Sequence, residues 1–449
     1  MMNDLNSFLF STPAMTGVFS AHEQLRAMMR FESALTRALE SQGLAEAGAG
    51  AVLETMLDAG FVDMDSLQRE AREVGNIVIP FVRQLTAAAR ARSEPASRAI
   101  HLGATSQDAL DTALVLQMRD GLKLLERAIE RLDAVLAAQV RTHCETLLAG
   151  RTWLQPGPPT TFGLKLAGTL AALRRHRDRM RASAERALVL QFGGAVGTLS
   201  ALGDAGGAVS AELARLLELR EPDLPWHAQR DNLVEMAEVL SNLTGSLSKF
   251  ARDVALLMQA EIGEASESGR EERGSSSTMP QKQNPVACAA AIAIHTRMPG
   301  LVAVMLGAMG QEHERGLGLW QAEWETMPEA FRLAAAALEY SIEIAEGIKV
   351  DADRMRENFD ALAGMTMAEA ISVALAPKIG RSAANNLLRK AAMQAKKEKR
   401  HLGDVLKELP EVAALLSDDE IDRLLKPEAY LGSAKRSIER VLGEPNAGR

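Results

Sequence analysis

An all-α protein is predicted by three observations. Two segments carry apolar residues in steps of three and four over many turns. Each of those segments contains a single interior glycine (Gly121, Gly245) and no proline. The chain is 47% hydrophobic but only 4% aromatic, so its core is built from Ala, Leu, Val and Met, which include the best helix formers.

The elements follow in chain order. Before residue 100 the pattern is one of shorter helices with polar breaks. From Val115 the apolar positions run Met118, Leu122, Leu125, Ile129, Leu132 and Leu136, the a/d seam of a long bundle helix. The stretch from Gln155 to Pro159 holds three prolines and a glycine, which predicts a loop leading into a helix from about Thr160 to Leu190. Gly193, Gly194 and Gly197 mark another loop, and Pro222 and Pro225 a turn. A second seam starts at Leu233 and continues through Met236, Leu240, Leu243, Leu247, Phe250, Val254 and Leu257. Each seam helix spans roughly 50 Å at 1.5 Å per residue. Helices of that length usually pack against copies of themselves, so the seams predict an oligomer. A fourth helix is expected from Pro285, with Asn284 as N-cap and a break or kink near Pro299. A fifth is expected after Pro328. The tail beyond 350 is rich in Lys and Arg and has a capping box at Ser417 and Glu420. These shifts divide the chain into an N-terminal helical domain (1–110), a central long-helix bundle domain (111–350) and a C-terminal helical domain (351–449), without internal repeats.

Bulk properties restrict the function. A length of 449 residues fits about three domains at roughly 150 residues each. The net charge of −8, from 51 basic and 59 acidic residues, favours neither nucleic acid nor acidic membranes as partners. Cys144 and Cys288 are the only cysteines, which suits a reducing compartment and gives no disulfide framework. The N-terminal MMNDLNSFLF lacks the basic start and long apolar core of a signal peptide, and no apolar run is expected to reach the roughly 20 residues of a membrane span. A cytoplasmic location is expected. The eight histidines are scattered, without H-x-x-x-H or C-x-x-C spacing, so no metal site is expected.

Four polar islands interrupt the helices. In HLGATSQD, His101 to Asp108, adjacent hydroxyls and a glycine at a helix start suit a carboxylate-binding site, and equally an ordinary N-cap at Thr105 or Ser106. In GRTWLQ, from Gly150, and PTTFG, from Pro159, Arg151 reads on its own as a surface charge and Trp153 as core. GSSSTMPQKQNP, Gly274 to Pro285, combines three serines, a lysine and an asparagine ahead of a helix. It suits anion holding; by composition alone it is also a polar linker. The fourth is Gln311 to Arg315, followed by Trp320, Glu323 and Trp324.

In order and content, HLGATSQDALDT, GRTWLQ with PTTFG, QFGGAVGT at 191–198 and GSSSTMPQKQNP resemble the fumarase/aspartase superfamily, whose signature reads GSSxMPxKxN. The likeness covers most of the chain. It implies three all-helical domains, with central domains forming a twenty-helix bundle in a homotetramer. Each active site gathers the three regions from three subunits. The implied chemistry is addition or elimination next to a carboxylate on a small-molecule polycarboxylate, through an aci-carboxylate carbanion, with no cofactor. Carried over residue by residue, Ser276 is the acid or base at carbon, three before Met279 and flanked by Ser275 and Ser277. Lys282 and Asn284 steady the enediolate, Thr105, Ser106 and Arg315 hold other carboxylates, and His101 binds a carboxylate or tunes the site.

One departure from the family narrows the reaction. Amine- and water-eliminating members have His after the Arg/Tyr-Thr pair of the second region, where this chain has Trp153. An indole N–H does not ionise usefully near neutrality, so the group at that end should need no proton. A carboxylate, with a reference pKa near 4, meets this condition, and its intramolecular addition to a conjugated double bond gives a lactone. Trp153 is thereby expected to line the substrate. Pro156 also departs from the polar residue, such as His, expected there. His143 falls on the extrapolated seam and reads as a buried structural histidine, and the alanines from Ala287 to Ala293 as close helix packing. Two other assignments are an eliminating lyase of the adenylosuccinate lyase kind, against which Trp153 speaks, and a catalytically silent structural member, against which Ser276, Lys282 and Asn284 speak.

Overall fold

Helices make up nearly all regular structure in residues 6–267, 279 and 282–443, the part of the chain that the computed structural model describes. Five helices are long: Ser106–Thr142, Phe162–Ala187, Asp231–Leu257, Val286–Gly307 and Leu319–Gly347. Both seams read from the sequence lie on such helices, and every residue of them from Val115 to Leu136 and from Leu233 to Leu257 is buried. The two interior glycines are sites of close approach. A Cβ on Gly121 would lie 2.9 Å from the Phe331 ring, and one on Gly245 3.1 Å from the His295 ring.

Because the seams are already covered within one chain, they leave no apolar surplus for a partner, contrary to expectation. The surplus lies on the Val286–Gly307 helix. By length and composition this helix is apolar enough to cross a membrane, which the sequence was not expected to offer, and 22% of its most apolar window is buried. Near its middle Arg297 pairs with Glu329 at 2.5 Å and lies over the Phe10 ring. Such an exposed ion pair is out of place in hydrocarbon.

Four local expectations are corrected. The Val286–Gly307 helix is not broken at Pro299, and the Leu319–Gly347 helix starts well before Pro328 and continues through it. Buried side chains on either side of each proline (Met298 and Met305; Met327 and Phe331) show tertiary packing outweighing a missing backbone bond. Residues 155–159 are part of a strand, Gln155–Thr161, paired antiparallel with Leu147–Thr152. In a two-stranded ribbon both strands are edges, where proline is tolerated. At the Val286 helix the first i→i−4 bond runs from Ala289 N–H to the Pro285 carbonyl. Pro285 therefore occupies the N-cap position and Asn284 lies one residue before it.

The chain divides into two compact units, and the division falls inside each of the five long helices. The first unit comprises Met1–Ile129, His176–Gly245 and Ala293–Glu339. Its N-terminal helices include Ala21–Ser41, capped by the Ser20 hydroxyl on Glu23 N–H. Phe19 packs on Phe331 at 5.3 Å and Phe31 edge-on to Phe192 at 6.4 Å. The second unit comprises Glu130–Arg175, Ser246–Ile292 and Tyr340–Arg449. It contains the hairpin, a short pairing of Ala265–Ser266 with Lys349–Val350, and C-terminal helices around a core that includes Ile371, Leu375, Leu388, Leu406 and Ile421. The capping box at Ser417 and Glu420 is present. His143 lies just past the end of its helix, only half-buried, edge-on to Phe162 and bonded to the Thr146 hydroxyl at 3.1 Å.

Candidate active site

In the first unit, three segments distant in sequence meet at the start of the Ser106 helix. Asp108 stands at the third helical position and is wholly buried. It accepts bonds from Thr105 N–H at 2.9 Å, Gly193 N–H at 3.0 Å, Gly194 N–H at 2.9 Å and His227 Nε2 at 2.7 Å. The first of these is the reach-back half of a capping box. The others fix the glycine loop against the helix start. A Cβ at Gly193 would come within 2.6 Å of Pro225, and Gly194 has φ +68°, so this close docking requires glycines.

Arg315 completes the junction. Its guanidinium donates to the Thr105 hydroxyl at 2.8 Å and to the Ala195 carbonyl at 3.0 Å. Two of the polar islands, HLGATSQD and QEHER, thus meet the glycine loop of QFGGAVGT in one place. Ser106 follows Thr105, half-buried, and its hydroxyl has no partner among the described residues. His101 begins the same turn in the left-handed region, at φ +60°, and the Ala104 N–H bonds back to its carbonyl. Its Nδ1 lies 2.6 Å from Glu32 Oε1 and its backbone N–H donates to Glu32 Oε2 at 2.8 Å. Burial works against a charged ring there, but the charge and hydrogen bond of Glu32 prevail and raise the His101 pKa above its ordinary value.

One helical turn beyond Asp108, Asp111 and Glu323 enclose Arg230. The fully buried guanidinium donates to Asp111 at 2.7 and 3.1 Å and to Glu323 at 2.5 and 3.1 Å. Burial opposes the charge, yet the two carboxylates hold the Arg230 pKa above its usual range. Trp320 Nε1 adds a bond to Asp111, and Gln311 Nε2 one to Glu323. The second of these ties the start of QEHER to the buried charge cluster.

The second unit carries the remaining described candidates. Arg151 is no surface charge. It grips the buried Glu264 with two bonds of 2.8 and 2.5 Å, and Glu264 also accepts from Asn358 at 2.9 Å. This clamp anchors the hairpin whose two-residue turn is Trp153 and Leu154, at φ +54° and +63°. The Trp153 side chain is not core: it is 98% exposed within the chain. Lys282 is exposed, and its N–H donates to the Met279 carbonyl at 2.9 Å. Asn284 is half-buried, its carbonyl accepting from Val286 N–H. Ser276, with Ser275 and Ser277, lies outside the described residues. The N-terminus of the Val286 helix does not stand open to an anion as expected. Both oxygens of the buried Glu267 accept its first-turn N–H groups, from Ala287 and Cys288, at 2.9 Å each.

Sequence reasoning gave no role to Asp108, Glu32, Arg230, Glu264 or Glu267. Asp108 had a local signal, an acid three residues after the capping threonine. Glu32 had none, since it reads as the polar face of an amphipathic helix. Among the described residues no group of His, Cys, Asp and Glu is arranged to hold a metal.

Comparison with known proteins places this arrangement. A family model described as "Lyase" matches residues 7–300, and one described as "Adenylosuccinate lyase C-terminus" matches residues 364–441. The chain belongs to the lyase family of the fumarase/aspartase superfamily. Within that family it is 50% identical to a 3-carboxy-cis,cis-muconate cycloisomerase of Pseudomonas aeruginosa, over 99% of this chain and 97% of the relative. It is 47% identical to the enzyme of the same name from Pseudomonas putida, over 94% and 100%. The crystal structure of 3-carboxy-cis,cis-muconate lactonizing enzyme from Pseudomonas putida superposes with a TM-score of 0.93 at 47% identity, covering 98% of both chains.

Proposed function

We propose that this chain is a 3-carboxy-cis,cis-muconate cycloisomerase, an isomerase that closes a carboxymuconate to a carboxymuconolactone without cofactor. It would serve the protocatechuate branch of aromatic (β-ketoadipate) degradation. The observation that carries this is Trp153. At near-full-length identity of 50% to a cycloisomerase, the residue at the family's proton-donor position is one that cannot donate usefully.

In the proposed reaction one substrate carboxylate oxygen bonds to the conjugated double bond. The π electrons move into a second carboxylate, giving an enediolate, and a proton then reaches the adjacent carbon. Fixed donors that meet this developing charge are the main catalytic contribution; Lys282 and Asn284 supply them. Thr105, Ser106 and Arg315 hold the remaining carboxylates, in keeping with the Arg315–Thr105 bond. Ser276 delivers the proton, and in the reverse direction removes it.

The same proposal includes a homotetramer with shared sites, three domains with boundaries near 110 and 350, and a cytoplasmic location. An apolar helix only partly covered by its own chain and an uncovered Trp153–Leu154 turn are what a subunit with partners leaves open. Cys144 and Cys288 are free thiols, which agrees with a reducing compartment. The deciding experiment follows loss of ultraviolet absorbance as the conjugated diene of 3-carboxymuconate closes. Turnover supports the assignment. No turnover, together with fumarate release from adenylosuccinate, would place the chain among the eliminating lyases.

A further inference from the structure

We propose that Glu32 is a positioning residue for the reaction, clamping His101 by its backbone and ring so that Nε2 is presented to a substrate carboxylate. This rests on the proposed carboxylate substrate but adds a residue, from an N-terminal helix, with no part in the family motifs quoted above. Three observations carry it.

The Glu32 side chain is 0% exposed, and both its oxygens go to one residue, His101. An ionised carboxylate in such a place is costly unless it is paired, and an apolar side chain would fill the same helix position without that demand. His101 itself is held at φ +60°, a backbone state that non-glycine residues adopt seldom and that clusters at working sites. Finally, the Nδ1 contact decides the ring's chemistry. With Nδ1–H donated to Glu32, the other nitrogen is left to act. The His101 side chain keeps 19% exposure, and Nε2 has no partner among the described residues. Burial opposes a charged ring, but the acidic Glu32 and Asp108 outweigh it and raise the His101 pKa above its ordinary value, so the protonated ring is favoured relative to a free imidazole. Its Nε2–H is then a charged donor in the turn that also carries Thr105, to which Arg315 is bonded.

The test is Glu32→Gln, isosteric but uncharged. Its first readout needs no turnover: diethyl pyrocarbonate acylates neutral imidazole, and mass spectrometry of the His101 peptide across pH gives the protonation midpoint. Removing the carboxylate should move that midpoint to lower pH by on the order of one pH unit. The second readout is kcat/KM. Glu32→Gln should lower it by about 10- to 100-fold, the range for a hydrogen bond to a charged group, mainly through KM. In a His101→Gln background the same change should matter less than about twofold, because positioning acts only through the ring. An unmoved midpoint overturns the proposal, as does an equal loss in both backgrounds, which marks a purely structural role. If Glu32→Gln does not fold, Glu32→Asp takes the same two readouts, with a smaller displacement in the same direction expected. If the chain does not lactonise 3-carboxymuconate, the midpoint still tests the clamp. Calorimetric binding of a saturated tricarboxylate, weaker for Glu32→Gln, then replaces kinetics.

Discussion

Buried charge is the residue-scale theme of this protein, and each case is paired. Asp108 collects four donors, Arg230 two carboxylates, Glu264 an arginine and an amide, Glu267 two helix N–H groups. Removing one partner from such a set leaves an uncompensated charge, typically worth 3–5 kcal/mol, so these residues fix one geometry for the polar islands. The sequence displays the islands because hydroxyls, glycines and charges cluster there. It hides Glu32, Arg230 and Glu264 because their partners are far along the chain. Lys282 is exposed, unlike this buried group, and Ser276 and Lys282 should separate kinetically. Ser276→Ala removes proton transfer to carbon and should lower kcat by about 10²–10⁴-fold with KM changed far less. Lys282→Ala should harm kcat and KM together, since a lysine neutralising a substrate carboxylate acts in ground and transition states alike. Ser275→Ala and Ser277→Ala are the controls; if either abolishes turnover while Ser276→Ala is near normal, the proton is carried by a neighbouring serine.

Among elements, the hairpin is the one the sequence conceals most. Three prolines in five residues read as a loop, yet the strands pair because the ribbon has no inner strand whose N–H groups would all be needed. Long helices were legible through their period, while Pro299 and Pro328 misplaced helix limits, since local propensity yields to buried neighbours. The hairpin turn conflicts with its own sequence. Two consecutive residues at positive φ are the pattern that favours Asn-Gly, and Trp153-Leu154 holds it at about 1–3 kcal/mol per residue. Replacing the pair by Trp153→Asn with Leu154→Gly should therefore raise the thermal midpoint or leave it unchanged while activity is lost, if Trp153 lines the substrate. Scanning calorimetry and the diene assay on one preparation decide it. Full activity in the double variant would make the turn a bare connector and remove Trp153 from the site.

For the whole molecule, the question is what covers the Val286–Gly307 helix. Its buried positions (Ala287, Cys288, Ala291, Ile294, Met298, Met305) follow steps of mostly three and four along one face. Val286, Val304 and Leu306 are exposed. The seams that first suggested an oligomer are satisfied within the chain, so this helix is the physical reason to expect partners. Burying an apolar side chain of this size is worth about 1.5–3 kcal/mol, and in a homotetramer each substitution is repeated in four subunits. Leu306→Asp should therefore dissociate the assembly, since a carboxylate would be buried unpaired at the interface. The internal core of each chain should be spared because Leu306 lies outside it. Light scattering on the variant should show smaller species with native helical circular dichroism, and turnover should fall with assembly if, as proposed, the site draws Trp153, Lys282 and Thr105 from different subunits. An active, undissociated Leu306→Asp protein would show that this face is not a subunit interface. A monomeric wild type with full turnover would end the shared-site proposal altogether.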